Sequence, residues 1–224
     1  MSSLLPSVEI EPREAATASV VWLHGLGADG HDFEPIVPVL RTERVRYVFP
    51  HAPSLPVTIN GRFVMPAWYD ITTLDFDAHD RENLEHVEAS RARIEALLER
   101  ERQRGIPQSR IVLAGFSQGA AMAMHVGLRQ AEPLAGLLVL SGYLVAEDRL
   151  EAEATEAGRS TPVLACHGRR DLIVPHAAGR ASYERLAAHA RPGVELAWHD
   201  YPMGHEVSDA ELEQVGAWLR ARLG

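Results

Sequence analysis

Arg110-Ile-Val-Leu-Ala-Gly-Phe-Ser-Gln-Gly-Ala-Ala-Met-Ala-Met-His-Val-Gly-Leu128 is the stretch that decides the fold. A short apolar run, Arg110 to Ala114, leads into Gly115-Phe116-Ser117-Gln118-Gly119, and an alanine-rich helical run follows to Leu128. A G-x-S-x-G between strand and helix is a nucleophile elbow. Its turn is sharp enough to force the serine into a crowded backbone conformation. Small residues two before and two after the serine leave room for it, and both are glycine here. The hydroxyl then stands at the carboxyl end of a strand and the amino end of a helix. Free N–H groups and the helix dipole favour developing negative charge there.

Outward from this centre, short β-rich apolar runs alternate with amphipathic segments. That order predicts a mainly parallel sheet with helices on both faces. The expected strands are Ser19–Leu23, Val45–Phe49, Arg110–Ala114, Ala135–Leu140, Pro162–Cys166 and Val194–Trp198. The expected helices are Phe33–Leu40, Arg81–Arg104, Gln118–Gln130, Ala177–Ala190 and Asp209–Leu223. In the long one, Leu84, Val87, Ile94, Leu97 and Leu98 recur at helical spacing and predict a core-facing stripe. Gly105-Ile-Pro107 should stop it, and Ser208 should cap the last helix. Pro50 to Asp80 has no clear period and holds four prolines. A loop of about thirty residues is more than a connector, and its apolar content predicts a cover over the mouth of a site. Ala146 to Ser160, small and acidic, reads as a surface excursion.

The 224 residues are within reach of one α/β domain, 1–224, with a sizeable core. A formal charge of −9 argues against a polyanion-binding surface, so nucleic acid is not an expected partner. The one cysteine, Cys166, lies in an apolar run and reads as a buried, inert thiol. The amino terminus lacks the charge and apolar length of a signal peptide. No apolar run approaches the ~20 residues that span a bilayer. The expectation is a cytoplasmic protein with no stable membrane insertion.

A serine hydroxyl needs a base, and the base needs an orienting acid. In an α/β-hydrolase the chain order is Ser, acid, His. Asp171 follows the strand ending at Cys166 and lies between Gly168 and Val174-Pro175, in a tight turn suited to an aimed carboxylate. Asp148, after the preceding strand, is its rival. Of eleven histidines, His205 stands after the last strand and before the last helix, where the base belongs. His199, close by, is read as ending the strand, and His24, His51 and His167 as organising loops through hydrogen bonds. An oxyanion hole needs two aimed N–H groups. Gln118, directly after the nucleophile, should supply one, and Leu26, in the glycine-rich loop His24 to Gly30, the other.

That loop is also a literal G-x-G-x-x-G after a strand. A dinucleotide site would want a carboxylate at the end of the second strand. Phe49-Pro-His-Ala-Pro53 offers none. No H-E-x-x-H or cysteine cluster supports zinc. Leu26, Phe63, Val64, Met65, Trp68 and Leu74 are candidates to line an apolar groove, although several of them could instead pack the long loop onto the core.

These motifs resemble the acyl-protein thioesterases and bacterial carboxylesterases of the phospholipase/carboxylesterase group. The likeness runs from about Val20 to the carboxyl terminus. It rests on His24-Gly-Leu-Gly-Ala-Asp-Gly30, Pro50-His-Ala-Pro53, Pro56-Val-Thr-Ile-Asn60, Met65-Pro-Ala-Trp-Tyr-Asp70 and Gly115-Phe-Ser-Gln-Gly119. Cys166-His-Gly168 with Asp171 and Val174-Pro175, and Met203-Gly-His205, complete it. The resemblance implies an α/β-hydrolase without a large lid and a triad of Ser117, Asp171 and His205, with Leu26 and Gln118 at the oxyanion. It implies hydrolysis of carboxylic esters, with thioesters as an extension and no cofactor. Lysophospholipase and protein depalmitoylase are the alternatives within the fold, and a ligand-binding module that has lost turnover is the alternative outside enzymology. Ala120 stands where the family often has a second glycine. Dimers occur in the family, and nothing in this sequence determines a homodimer.

Overall fold

The computed structural model describes residues 4–76, 78 and 80–224. The chain runs through β1 (Ser7–Ile10), β2 (Ala18–Leu23), α1 (Val37–Leu40), β3 (Val45–Pro50), β4 (Ser54–Val57) and β5 (Phe63–Pro66). Next come α2 (Leu84–Gln103), β6 (Ile111–Phe116), α3 (Gln118–Gly127), β7 (Gly136–Leu140) and α4 (Leu150–Glu153). It ends with β8 (Val163–Gly168), α5 (His176–His189), β9 (Leu196–Tyr201) and α6 (Asp209–Leu223). One seven-stranded sheet has the order β1-β3-β2-β6-β7-β8-β9. All its pairs are parallel except β1 with β3.

The inner strands are mostly apolar because both faces of the sheet are covered. Val21, Leu23, Leu113 and Val139 cluster with Ile94 of α2, Met122 of α3 and Leu186 of α5. Their alternate neighbours Val20, Trp22, Val112 and Leu138 cluster with Leu40 of α1 and Val215 and Leu219 of α6. From β2 the chain steps outward to β3, and from β6 it steps the other way through β7, β8 and β9. Beyond the carboxyl ends of β2 and β6 there is therefore a crevice, the place where open α/β sheets bind ligands. In that pair Leu23 stands opposite Gly115, so the loop after β2 and the elbow after β6 leave the sheet side by side.

The predicted elements are present, with revised ends. The helix expected over Phe33–Leu40 is a 3-10 turn, Glu34–Ile36, followed by the single turn of α1, because Pro35 and Pro38 each remove a backbone donor. The long helix begins at Leu84, where Asn83 caps it by accepting from His86 N at 3.1 Å. The segment 50–80 is not periodless: β4 and β5 form an antiparallel hairpin pairing Ser54 with Pro66. Prolines 53, 56 and 66 hide it, and they are tolerated because a two-stranded ribbon leaves half its N–H groups unpaired anyway. The edge strand β1 was not expected. Ion pairs hold it: Glu9 meets Arg100 at 2.8 Å and Arg104 at 2.7 Å, and Glu11 meets Arg46 at 2.7 Å.

Ser208 caps α6 by accepting from Glu211 N at 3.3 Å. The Glu211 side chain is fully buried and, among the described residues, neither carboxyl oxygen has a hydrogen-bond partner. Burial raises its pKa from 4.5 to about 8. The folded state therefore keeps a proton that the unfolded chain releases, and stability falls as pH rises through that window. Glu211→Gln should be more stable than the parent at pH 8, by ~1–3 kcal/mol, with the gap closing towards pH 5. Thermal melts at both pH values test this, and an equal gap at both would refute it.

Candidate active site

Ser117 has φ 55° and ψ −121°, a region that a side chain rarely enters. Its N–H donates to Leu140 O at 2.9 Å and its carbonyl accepts from Ala121 N at 3.0 Å, so β7 and α3 impose the conformation. A Cβ at Gly115 would stand 2.3 Å from the Gly119 backbone, and one at Gly119 would stand 2.3 Å from Leu23 O. Both flanking glycines are therefore needed for backbone to touch backbone. The Ala120 methyl is buried, and a Cβ on Gly142 would lie 2.7 Å from it. Gly142 is what makes room for alanine at that position.

His205 Nε2 lies 2.9 Å from Ser117 Oγ, and His205 Nδ1 lies 2.7 Å from Asp171 Oδ2. The other Asp171 oxygen accepts from the N–H groups of Ile173 and Val174, both at 2.9 Å. Burial on its own would raise the Asp171 pKa. The His205 hydrogen bond and the Val174 and Ile173 amides outweigh it and hold the carboxyl below its ordinary value. An ionised Asp171 accepts from Nδ1–H, which leaves Nε2 unprotonated and facing the serine. The loops that carry Asp171 and His205 are tied where Arg170 N donates to Met203 O at 3.0 Å. A Cβ on Gly168 would meet Gly204 O at 2.2 Å, so glycine is required where the loops touch. The rivals lie elsewhere. Asp148 is exposed on the 3-10 turn Glu147–Arg149, and His199 sits within β9 rather than at its end.

The loop after β2 packs against the elbow. A Cβ on Gly25 would be 3.4 Å from Ser117 Cβ, and one on Gly30 would be 2.4 Å from Phe49 O. Close backbone approach thus accounts for Gly30, whereas Gly25 faces the side chains of Phe116 and Ser117. Among the described residues, neither Leu26 N–H nor Gln118 N–H has a protein acceptor. His24 Nε2 accepts from Ala52 N at 3.0 Å, His51 Nδ1 accepts from Gly30 N at 3.2 Å, and His167 Nε2 lies 2.9 Å from Val174 O. All three organise loops, as expected. Two roles were not legible. The Gln118 side chain accepts from Trp68 N and donates to Tyr69 O, both at 2.8 Å, clamping the long loop to the elbow. The Phe116 ring covers the His205 imidazole at 4.8 Å. Both residues occupy the variable positions of G-x-S-x-G, so the motif gives no signal for them.

Of the groove candidates, Phe63, Val64 and Leu74 are exposed, and Leu26 and Met65 are half-buried. Trp68 is a correction. It is fully buried, and its Nε1–H donates to His24 O at 2.8 Å, so it supports the loop from beneath and lines no open surface. A large apolar ring is worth more in the core than at the rim. Leu172 and Ile173, missed in the sequence, stand exposed beside Asp171. Among the described residues, no group of three or more His, Cys, Asp or Glu side chains is placed to hold a metal ion.

Residues 6–223 match the family model described as phospholipase/carboxylesterase. Acyl-protein thioesterase 1 of Gibberella zeae is 38% identical over 217 residues, 92% of this chain and 91% of that protein. The crystal structure of Zea mays acyl-protein thioesterase 2 superposes with a TM-score of 0.85 at 29% identity, covering 98% of this chain and 99% of that one. The crystal structure of esterase PE8 gives 0.83 at 30% identity, over 99% and 100%.

The elbow strain has a measurable consequence. Ser117→Gly should be more stable than Ser117→Ala by ~1 kcal/mol, because only glycine occupies φ 55° without strain. Urea unfolding of the two variants measures the difference, and an alanine variant as stable as the glycine variant would show the backbone to be relaxed.

Proposed function

The chain belongs to the phospholipase/carboxylesterase family, and from that premise we propose that Ser117, His205 and Asp171 are its nucleophile, base and acid. The protein is a serine hydrolase of carboxylic esters. The observation that carries the residue assignment is the unbroken contact from Ser117 Oγ through the His205 ring to Asp171, at 2.9 and 2.7 Å.

In this reading Ser117 Oγ attacks the ester carbonyl while His205 Nε2 takes its proton. Asp171 holds the ring and stabilises the imidazolium that forms. The Leu26 and Gln118 N–H groups, free of protein acceptors, receive the oxyanion of the tetrahedral intermediate. Its collapse expels the alcohol, which takes the proton from His205, and leaves the acyl group on Ser117. Water then attacks with the same base, and the acid is released. The chemistry calls for no cofactor.

For substrate, we infer an ester or thioester with an apolar acyl chain, the chain resting on the exposed Phe63, Val64, Leu74 and Ile173. The names of the fungal and plant relatives favour a protein S-acyl group. A lysophospholipid presents the same carbonyl and the same chain. Burial pushes the Cys166 thiol far up, so it stays protonated and inert.

Hydrolysis of p-nitrophenyl esters from acetate to palmitate, with Ser117→Ala as blank, tests the reading. The variant should lose roughly three or more orders of magnitude in kcat. Near-normal turnover in it would remove Ser117 from the mechanism. An optimum at long chains would support the thioesterase-like substrate, and one at acetate would support a small-ester carboxylesterase. Asp171→Asn should cost a roughly 10³- to 10⁴-fold loss.

A further inference from the structure

His167 takes no part in those proton transfers, yet it lies directly behind them. It is in β8, four residues before Asp171, and its side chain is buried. Its ring lies nearly parallel to Trp198, at 5.8 Å and 18°, and edge-on to His176, at 5.8 Å and 89°. On a further side α5 comes so close that a Cβ on Gly179 would stand 2.3 Å from His167 Cε1. A ring enclosed in this way keeps one orientation.

That orientation points Nε2 at the Val174 carbonyl, 2.9 Å away. A carbonyl can only accept, so Nε2 carries the proton. The same nitrogen is 3.5 Å from Asp171 Oδ2, the oxygen that receives His205 Nδ1–H. Val174 in turn donates its own N–H to Asp171 Oδ1. One peptide residue is thus gripped by His167 at its carbonyl and grips the carboxylate with its amide.

We propose that His167 is a positioning residue, which as the neutral Nε2–H tautomer pins Val174 and thereby fixes the Asp171 carboxylate against His205. The proposal rests on the triad reading above. Charge explains why a neutral donor is needed. A cation 3.5 Å from Oδ2 would compete with His205 for that oxygen, whereas an N–H dipole shared with a carbonyl does not. The ring is kept neutral because burial lowers its pKa more than the Val174 carbonyl and Asp171 raise it. The titratable groups facing it are Asp171, His176 and His205, and His176 is itself 3.4 Å from Asp200.

The test compares His167→Ala, His167→Gln and Asp171→Asn with the parent on p-nitrophenyl butyrate, alongside proton and ¹⁵N NMR of the histidine rings. In the parent, His167 should be the Nε2–H tautomer between pH 6 and 8, and His205 Nδ1–H should give a low-field resonance. His167→Ala should lower kcat by about 10- to 100-fold, with KM changed less than about threefold, and should broaden or shift that resonance. The acid limb of its kcat/KM profile should move, and His167→Gln, which keeps an N–H donor, should recover most of kcat. A folded alanine variant with unchanged kcat and an unchanged low-field proton would overturn the proposal. So would an Nδ1–H tautomer of His167 in the parent, a measurement that needs no variant to fold. A fully active Asp171→Asn would instead strike the triad reading, which keeps the two failures apart.

Discussion

Ser117 holds a backbone conformation, φ 55° and ψ −121°, that no isolated peptide with a side chain would keep. It is maintained because Ser117 N–H is bonded to β7, its carbonyl begins α3, and Gly119 lets α3 press onto the carbonyls of Leu23 and His24. That contact of helix with strand end needs a hydrogen in place of a methyl group. From it follow the aim of the hydroxyl at His205, the nearness of the loop after β2, and the seat for the long loop. Gln118, the first residue of α3, extends the same device by fastening Trp68 and Tyr69.

The sheet topology does the rest of the assembly. The strand order reverses between β2 and β6, and both loops leaving that point carry glycines that allow close backbone approach. Further along the sheet, β8 and β9 run parallel from Val163 to Gly168 and from Leu196 to Tyr201, so their following loops emerge together. Asp171 and His205 come from those loops. Parallel strands thus place side chains far apart in the chain at one edge, and short hydrogen bonds complete the geometry. The buried carboxylate is sustained by two amides and one imidazole, which is the condition for keeping a charge away from water.

Much of this geometry was legible because each of the three residues proposed as the triad sits in a local pattern with a physical reason. Ser117 has its glycines, Asp171 its Gly and Val-Pro turn, and His205 its place between the last strand and a capped helix. Where the period was strong, as in the Leu84 to Leu98 stripe, the element was found and only its ends moved, since caps depend on single side chains such as Asn83. The hairpin β4–β5 was missed because prolines erase alternation over strands of four residues. The edge strand β1 was missed because it has four residues and is held by pairing with β3, some forty positions on, and by ion pairs with residues farther away. Trp68 was set among groove candidates because hydrophobicity does not tell a lining ring from a supporting one.

By itself the sequence determined the elbow, the mainly parallel α/β order, the chain order of Ser117, Asp171 and His205 after their strands, and an apolar core sufficient for both faces of the sheet. These are local or periodic properties, written in adjacent residues. Only the tertiary structure decided which apolar residues stand in the open, that the side chain of Gln118 is a clamp, and that His167 lies behind Asp171. Those outcomes depend on distances between segments that meet only when the sheet closes. A buried donor and a solvated one look the same until the neighbours that exclude water are in place.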